Sequence, residues 1–394
     1  MVSYSLYLHI PFCRKRCSYC DFNTCAGFEQ LIPAYLSALC VEIKKVSAAA
    51  SCRLPVHTVY FGGGTPSLLT AGQVQGVLNT IVTQFNLQAG AEITLEANPG
   101  TVSLDQLRGL RAAGVNRLSF GMQSAHADEL ALLERLHDHV GVIEAVKWAR
   151  QAGFDNLSLD LIYGLPDQAL ARWQFSLEMA IRLAPEHLSL YSLTLEEGTQ
   201  LHRWASRGLV NWPDDDLMAD MYLWAMERLE VAGYHQYEIA NFARTSSSRE
   251  LLASRHNLQY WRNQPYLGFG TGAHGFAEKL RVANEYGLQR YIELCQSKPA
   301  AQFPVGPAAG DVIAIDRMSE MQETMMVGLR LTDEGVSRQR FKLRFGVDLL
   351  AVFGREIAEL LGLGLVEWAQ DGGERLRLTK RGRPLGNQAF LRFV

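Results

Sequence analysis

Short apolar segments alternate with longer amphipathic stretches from residue 5 to about residue 240. Six apolar segments have the length and composition of buried strands: Leu6–Ile10, Thr58–Phe61, Glu92–Glu96, Arg117–Phe120, Asn156–Ile162 and His187–Leu193. Helical periodicity fills five of the intervals: Ala34–Val46, Ala71–Phe85, Leu104–Ala113, Val140–Ala152 and Leu170–Leu183. Parallel neighbours need a long return connection, so this order predicts an α/β fold built as a partial (β/α)6 barrel.

Unusual polar residues follow the predicted strands. The phrases GGGTP, EANPG, GMQS and DLIYGLP all stand at or just beyond the end of an apolar segment. In parallel α/β architectures, reactive groups collect beyond the carboxyl ends of the strands. The sequence therefore predicts a site at that end of the barrel.

The chain is expected to contain two domains. Residues 1–300 form the predicted barrel with its associated strands, and the Pro- and Gly-containing passage Ser297–Gly310 reads as a linker. Residues 311–394 carry helical patterns and two short apolar runs around Asp371-Gly372-Gly373, which predicts a small winged-helix-like domain. Such a domain leaves nucleic-acid binding open as an alternative. The net charge of -3 and the scattered basic residues argue against a nucleic-acid partner.

Four of the seven cysteines lie within thirteen residues, which suits a metal site in a reducing compartment better than a disulfide framework. Cys13, Cys17 and Cys20 have C-x3-C-x2-C spacing, so three thiolates on one loop can hold a 4Fe-4S cluster with one iron open. Structural zinc is the alternative, with His9 or Cys25 as a fourth ligand. We find no basic leader and no apolar run of membrane-spanning length, so a cytoplasmic protein without a membrane span is expected.

The phrase LYLHIPFCRKRCSYCDF resembles the radical SAM superfamily, whose motif is this triad directly after the first barrel strand. Within it, the chain is similar to the branch that contains the oxygen-independent coproporphyrinogen III oxidases (HemN) and the HemW-like proteins. The resemblance implies that the open iron binds S-adenosyl-L-methionine (SAM). It also implies an electron donor such as flavodoxin or ferredoxin.

The resemblance extends to positions that surround SAM in this superfamily. Gly63, Gly64 and Thr65 match the motif for the ammonium group of SAM. Arg135 can bind a carboxylate with two parallel hydrogen bonds, whereas Glu96 and Asp160 can accept hydrogen bonds from ribose hydroxyls. The positions carried over as cofactor-binding are Tyr7, Tyr19, Gly63, Gly64, Thr65, Glu96, Gln123, Arg135 and Asp160.

Three features favour the HemW-like side of the branch. Residue 22 is Phe where the oxidases have a fourth cysteine, and few residues precede Tyr7. The segment Arg255–Trp261 contains H-N-x-x-Y-W, which marks HemW-like proteins and makes His256 a candidate haem ligand, with His274 as a second candidate. This resemblance implies a haem chaperone that delivers haem to haem-accepting proteins, respiratory ones among them. Coproporphyrinogen oxidase activity is the alternative and is not expected.

Overall fold

The computed structural model describes residues 3–297, 299, 302–369 and 374–394. Their contacts divide the chain into two compact units, Met1–Met221 with Pro265–Ile313 and Tyr222–Gln264 with Ala314–Val394. The sequence-based division at 300 and 311 follows Pro and Gly content, and it places 222–264 in the first domain. Contacts group that segment with the carboxyl-terminal residues instead.

The strands in the described part of the chain are β1 (Tyr4–Ile10), β2 (Phe12–Cys13), β3 (Cys25–Ala26), β4 (Pro55–Gly63), β5 (Asn86–Ala97), β6 (Arg117–Gln123), β7 (Leu157–Tyr163), β8 (His187–Ser192), β9 (Tyr234–Gln236), β10 (Asn241–Arg244), β11 (Tyr266–Phe269), β12 (His274–Ala277), β13 (Leu280–Asn284), β14 (Ala309–Ala314), β15 (Val336–Ser337), β16 (Val366–Trp368) and β17 (Arg375–Leu378). The α-helices are α1 (Ile32–Ala49), α2 (Ala71–Gln84), α3 (Leu104–Ala112), α4 (Ala127–Leu132), α5 (His139–Gln151), α6 (Leu170–Arg182), α7 (Gln200–Ser206), α8 (Asp215–Val231), α9 (Arg255–Trp261), α10 (Leu288–Ser297), α11 (Arg317–Gly328), α12 (Arg338–Phe345), α13 (Leu349–Gly362) and α14 (Gly386–Phe390).

The first unit is built on six parallel strands in the order β1-β4-β5-β6-β7-β8. Helices of the predicted pattern follow the strands, which confirms the partial (β/α)6 barrel. The strands are buried along most of their length, as expected for a parallel sheet covered on both faces. On the other side of β1 lies β11, also parallel, followed in the sheet by β12, β13 and β14.

The second unit has its own apolar core, formed by α11–α14 and a three-stranded sheet in the order β15-β17-β16. Helices followed by a small antiparallel sheet agree with the predicted winged-helix-like domain. The predicted turn Asp371-Gly372-Gly373 lies outside the described residues.

Segment 222–264 is anchored to the carboxyl-terminal residues by an ion pair with a buried carboxylate. The Glu238 carboxylate has no solvent exposure and lies 3.3 Å from the Arg330 guanidinium. The Thr332 amide also donates to the Tyr237 carbonyl at 3.1 Å. A long-range pair of this kind has no local sequence signal, so the linker pattern alone could not place the segment.

None of the helices that the structure describes is both long enough and apolar enough to cross a membrane.

Candidate functional site

The three clustered cysteines lie on one loop that follows β1. Strands β2 and β3 pair in parallel at its two ends, with Phe12 opposite Cys25 and Cys13 opposite Ala26. Inside the loop, Ser18 donates its backbone amide to the Leu133 carbonyl and its hydroxyl to the Leu132 carbonyl. The loop is therefore fixed both at its ends and at its middle.

Each cluster thiol has a polar neighbour. The Thr65 hydroxyl lies 3.5 Å from the Cys13 sulfur, and the Arg135 guanidinium lies 3.5 Å from the Cys17 sulfur. Burial raises the pKa of the Cys13 thiol to about 11, the Thr65 hydrogen bond lowers it, and the neighbouring thiols raise it further. A buried thiolate needs a positive partner, and a bound iron ion supplies one because metal ligation deprotonates a thiol.

No three His, Cys, Asp or Glu side chains converge on a single ion position in the ranges that the structure describes. Cysteines that hold a four-iron cluster bind different iron atoms, so convergence on one ion is not required of them. All seven cysteines are free thiols. The donor set of Cys13, Cys17 and Cys20 on a fixed loop therefore fits a cluster with one open iron.

The glycine run at the end of β4 lies against the start of this loop. Gly64 and Thr65 donate their amides to the carbonyls of Ile10 and Phe12, both at 2.8 Å. Gly63 has a φ of 108°, and a Cβ there would lie 2.5 Å from the His9 ring. Only glycine fits this conformation and this approach, which explains why the run stands at the strand end.

Two half-buried carboxylates, Glu96 and Asp160, lie on strands β5 and β7. Glu96, near the end of β5, accepts hydrogen bonds from the Tyr60 hydroxyl at 2.8 Å and the Gly63 amide at 3.1 Å. Burial raises its pKa to about 7. Asp160 on β7 accepts from the hydroxyls of Ser119 and Ser158, and burial raises its pKa as well. These hydrogen bonds hold both carboxylates in fixed positions, where they can accept further hydrogen bonds from hydroxyl groups.

The side chains of Arg135 and Gln123 both lie close to Gly121 on β6. Gln123 ends β6 with a φ of 63°, and the Arg135 Nη2 donates to the Gly121 carbonyl at 2.9 Å. The Arg135 Nε is buried and has no hydrogen-bond partner in the structure. Arg135, Cys17 and Thr65 also line one small surface pocket. A buried donor beside such a pocket fits an anionic group such as a carboxylate.

The two predicted tyrosines flank these groups. The Tyr7 hydroxyl lies 3.0 Å from the His9 Nδ1, and its ring stacks on Tyr60 with centroids 6.3 Å apart. Burial raises the pKa of Tyr7, and the Glu96 charge raises it further. Burial also raises the pKa of Tyr19, although the Arg135 charge opposes that shift. Both phenols remain protonated donors at neutral pH.

The predicted SAM and cluster positions thus come together in the first unit, where Glu96, Gln123 and residues 63–65 lie at strand ends and Tyr7 and Asp160 lie in mid-strand. Three polar residues around them were not predicted: Tyr60, Ser119 and Ser158. His9 also lies here, although the sequence named it only as an alternative zinc ligand. A signal for them exists, because each is a polar residue within a strand whose other positions are mostly apolar and buried. Register explains their place, since Tyr60 is opposite Tyr7 and Ser158 is opposite Ser119.

His256 lies in the second unit and is 1% exposed. It occupies the first turn of α9, which Ser254 caps by accepting from the Asn257 amide. Its Nε2 lies 2.8 Å from the Tyr260 hydroxyl, and the two rings pack edge to face. The neighbouring Trp261 ring lies under the Arg330 guanidinium. The residues of the H-N-x-x-Y-W motif are therefore packed against their own unit.

Comparison with known families gives two matches. Residues 7–180 match the radical SAM superfamily, and residues 315–385 match the HemN C-terminal domain. The first range contains every predicted cluster and SAM position. The second lies within the unit with the winged-helix-like core.

Several relatives are similar over most of the chain. A heme chaperone HemW of Bacillus subtilis is 36% identical over 99% of this chain and 99% of its own length. A mitochondrial radical S-adenosyl methionine domain-containing protein 1 of Danio rerio is 36% identical over 92% of this chain and 81% of its own. Among solved structures, the HemN coproporphyrinogen III oxidase of Escherichia coli superposes with a TM-score of 0.81 at 25% identity, covering 100% of this chain and 90% of its own.

Proposed function

Since the chain belongs to the HemW family of radical SAM proteins, we propose that it binds haem and delivers it to haem-accepting proteins. The main support for this proposal is sequence similarity, over nearly the full length of both proteins, to a relative described as a heme chaperone. The fold alone does not distinguish a haem chaperone from a coproporphyrinogen oxidase, because the oxidase HemN has the same fold over the whole chain.

As a member of this family the chain uses a 4Fe-4S cluster and SAM. We assign Cys13, Cys17 and Cys20 as the cluster ligands. The bound cluster supplies the electron chemistry. The chain itself holds the three thiols in one loop. It also contributes Arg135, whose buried Nε is a hydrogen-bond donor without a partner in the structure.

The remaining predicted positions surround SAM in this proposal. Gly63, Gly64 and Thr65 offer backbone and hydroxyl groups beside the cysteine loop. Glu96, Gln123 and Asp160 offer acceptors on successive strands, and Tyr7 and Tyr19 close the cluster side. The support for this assignment is that all of these residues lie in the first unit, on its parallel strands, directly after them or in the cysteine loop.

The partners follow from this chemistry. The cluster requires an electron, for which a flavodoxin or ferredoxin is the proposed donor, and the proposed haem acceptors include respiratory proteins. We place the protein in the cytoplasm, because seven free thiols and an iron-sulfur cluster suit a reducing compartment.

Coproporphyrinogen oxidation is the second candidate, and the structural similarity to HemN favours it. The two functions separate in one experiment on anaerobically reconstituted protein. We expect saturable haem binding in an absorption titration and no conversion of coproporphyrinogen III to protoporphyrinogen IX with SAM and reductant present. Turnover of coproporphyrinogen would replace the chaperone proposal with the oxidase.

A further inference from the structure

An exposed histidine stands at the start of β12. His274 is solvent-exposed, whereas His256 is buried and bonded to Tyr260. The nearest partner of the His274 ring is the Tyr286 hydroxyl, 3.3 Å from Nε2. Axial coordination of haem iron requires an imidazole nitrogen that the iron can reach. On that criterion His274 is accessible without any rearrangement of the backbone.

The glycine-rich segment before His274 fixes its position. A Cβ at Gly268 would lie 2.0 Å from the His274 carbonyl oxygen, so only glycine allows β11 to pass this close. The turn between β11 and β12 is held by Thr271, whose hydroxyl bonds to the carbonyls of Glu285 and Tyr286, both at 2.8 Å. The same turn therefore positions both His274 and Tyr286.

This turn is bonded to the cysteine loop. The Asn23 side-chain amide donates to the Thr271 hydroxyl at 3.3 Å and to the Tyr286 carbonyl at 3.2 Å. The Asn23 carbonyl in turn lies 2.8 Å from the His9 Nε2 on β1. His274 consequently belongs to the same hydrogen-bonded network as the loop that carries Cys13, Cys17 and Cys20.

Two large aromatic side chains are exposed on the two segments that this network joins. Tyr286 is 55% exposed, and Phe22, the neighbour of Asn23 in the chain, is 60% exposed. The exposed Arg16 guanidinium donates to the carbonyls of Cys20 and Phe22. The two segments joined by Asn23 thus carry an exposed imidazole, exposed aromatic faces and an exposed cation. These are the groups that bind iron, a porphyrin plane and a propionate respectively.

We propose that haem docks on the surface formed by Arg16, Phe22, His274 and Tyr286, with His274 as the axial ligand. This inference rests on the proposed function and assigns its cargo site. The iron takes the Nε2 lone pair that faces the Tyr286 hydroxyl, and that hydroxyl turns to solvent. No covalent bond of the haem is made or broken, and no electron is transferred in this step.

The test is a titration with ferric haem, monitored by absorption spectroscopy, of the full-length reconstituted protein and of the variant His274→Ala. Loss of the axial ligand is expected to shift the Soret band and to weaken haem binding by about tenfold or more. Added imidazole should restore the wild-type band position in His274→Ala. His235→Ala is the matched control, because His235 is also exposed and lies in the other unit.

A second variant tests the aromatic surface separately from the iron ligand. Phe22→Ala should weaken haem binding while it leaves the Soret position unchanged, since His274 still ligates. An unchanged titration in His274→Ala, or a ligand shift found in His256→Ala instead, overturns the assignment but leaves haem binding by the protein intact. A wild-type protein that binds no haem overturns the proposed function itself. Equal cluster absorbance in all variants shows that each is folded.

Discussion

Arg135 is the residue at which the cysteine loop and the strand ends meet. It contacts the Cys17 sulfur and the Gly121 carbonyl, and its Nε keeps one buried donor without a partner in the structure. A buried donor of this kind is unfavourable unless a ligand satisfies it. Its position therefore fits recognition of the SAM carboxylate.

Arg135→Ala should weaken the response of the reduced cluster to SAM. Loss of a charge-assisted hydrogen bond costs about 1.5 to 3 kcal/mol, which corresponds to a roughly tenfold to hundredfold loss of affinity. A SAM titration monitored by electron paramagnetic resonance measures this loss of affinity. Arg108→Ala is the control, because Arg108 is exposed and pairs only with Asp105 among the ion pairs of the described residues. Equal SAM affinity in the Arg135 variant would remove this residue from the site.

The cysteines allow a second test with a control inside the same loop. Cys13→Ala, Cys17→Ala and Cys20→Ala should each abolish the cluster after anaerobic reconstitution, whereas the wild type holds about four irons. Cys25→Ala should keep the cluster, because Cys25 closes the loop through its backbone in β3. Iron analysis reads this directly, and full iron content in any of the first three variants would contradict the ligand assignment.

At the level of elements, the barrel was predictable because each strand and helix carries a local signal. Apolar runs predicted the ends of the six strands to within three residues, except that β5 begins six residues before the predicted start at Glu92. Helical periodicity predicted α1, α2, α3, α5 and α6 to within three residues. At the site, the sequence predicted those residues that belong to a recognisable motif, such as the three cysteines and the glycine run. Tyr60 and Ser158 are recognisable in the sequence as polar residues within apolar strands, but their place beside Tyr7 and Ser119 depends on strand register, which a local pattern does not determine.

The assignment of segment 222–264 to the second unit was also beyond the sequence. It depends on the pairing of Glu238 with Arg330, which are far apart in the chain and close in the structure. The solvent exposure of a side chain is likewise not predictable from its motif. His256 and His274 both stand in distinctive motifs, but only the folded chain shows that the first is buried and the second is not.

Glu42 links four elements of the first unit through one carboxylate. From α1 it accepts hydrogen bonds from the Gly270 amide at 2.9 Å, the Asn284 side chain at 2.6 Å and the Tyr291 hydroxyl at 2.6 Å. Burial raises its pKa from 4.5 to about 7, against the lowering effect of these bonds. The protonated form is therefore favoured in the folded state relative to the unfolded chain.

The sign of the pH dependence follows. A raised carboxyl pKa contributes stability that is fully present below pH 4.5 and is lost as pH rises through about 7. The free energy of unfolding of the wild type minus that of Glu42→Gln should fall over this window, by on the order of a few kcal/mol. Denaturant titrations at several pH values measure the difference. The exposed Glu293→Gln on α10 should show no such trend, and a flat difference for Glu42 would contradict the burial argument.

For the whole molecule, one protein of the HemW family combines a radical SAM unit with a carboxyl-terminal unit that has a separate core. The two units are each stabilised by their own contacts, so the cluster chemistry and the winged-helix-like core are distinct parts of the chain. The fold is shared with a coproporphyrinogen oxidase, whereas the full-length sequence similarity is to haem chaperones. What distinguishes the two functions is the fate of the porphyrin.

The measurement that tests this distinction most directly is haem transfer. Reconstituted protein loaded with one equivalent of haem is mixed with an excess of an apo-haemoprotein such as apomyoglobin, and the absorption spectrum of the acceptor is followed over time. The proposed function predicts that the haem leaves this protein and appears in the acceptor, unaltered and close to stoichiometrically, with no change in the iron content of the cluster. Haem that stays bound in the presence of excess acceptor, or that is chemically altered before release, would contradict it.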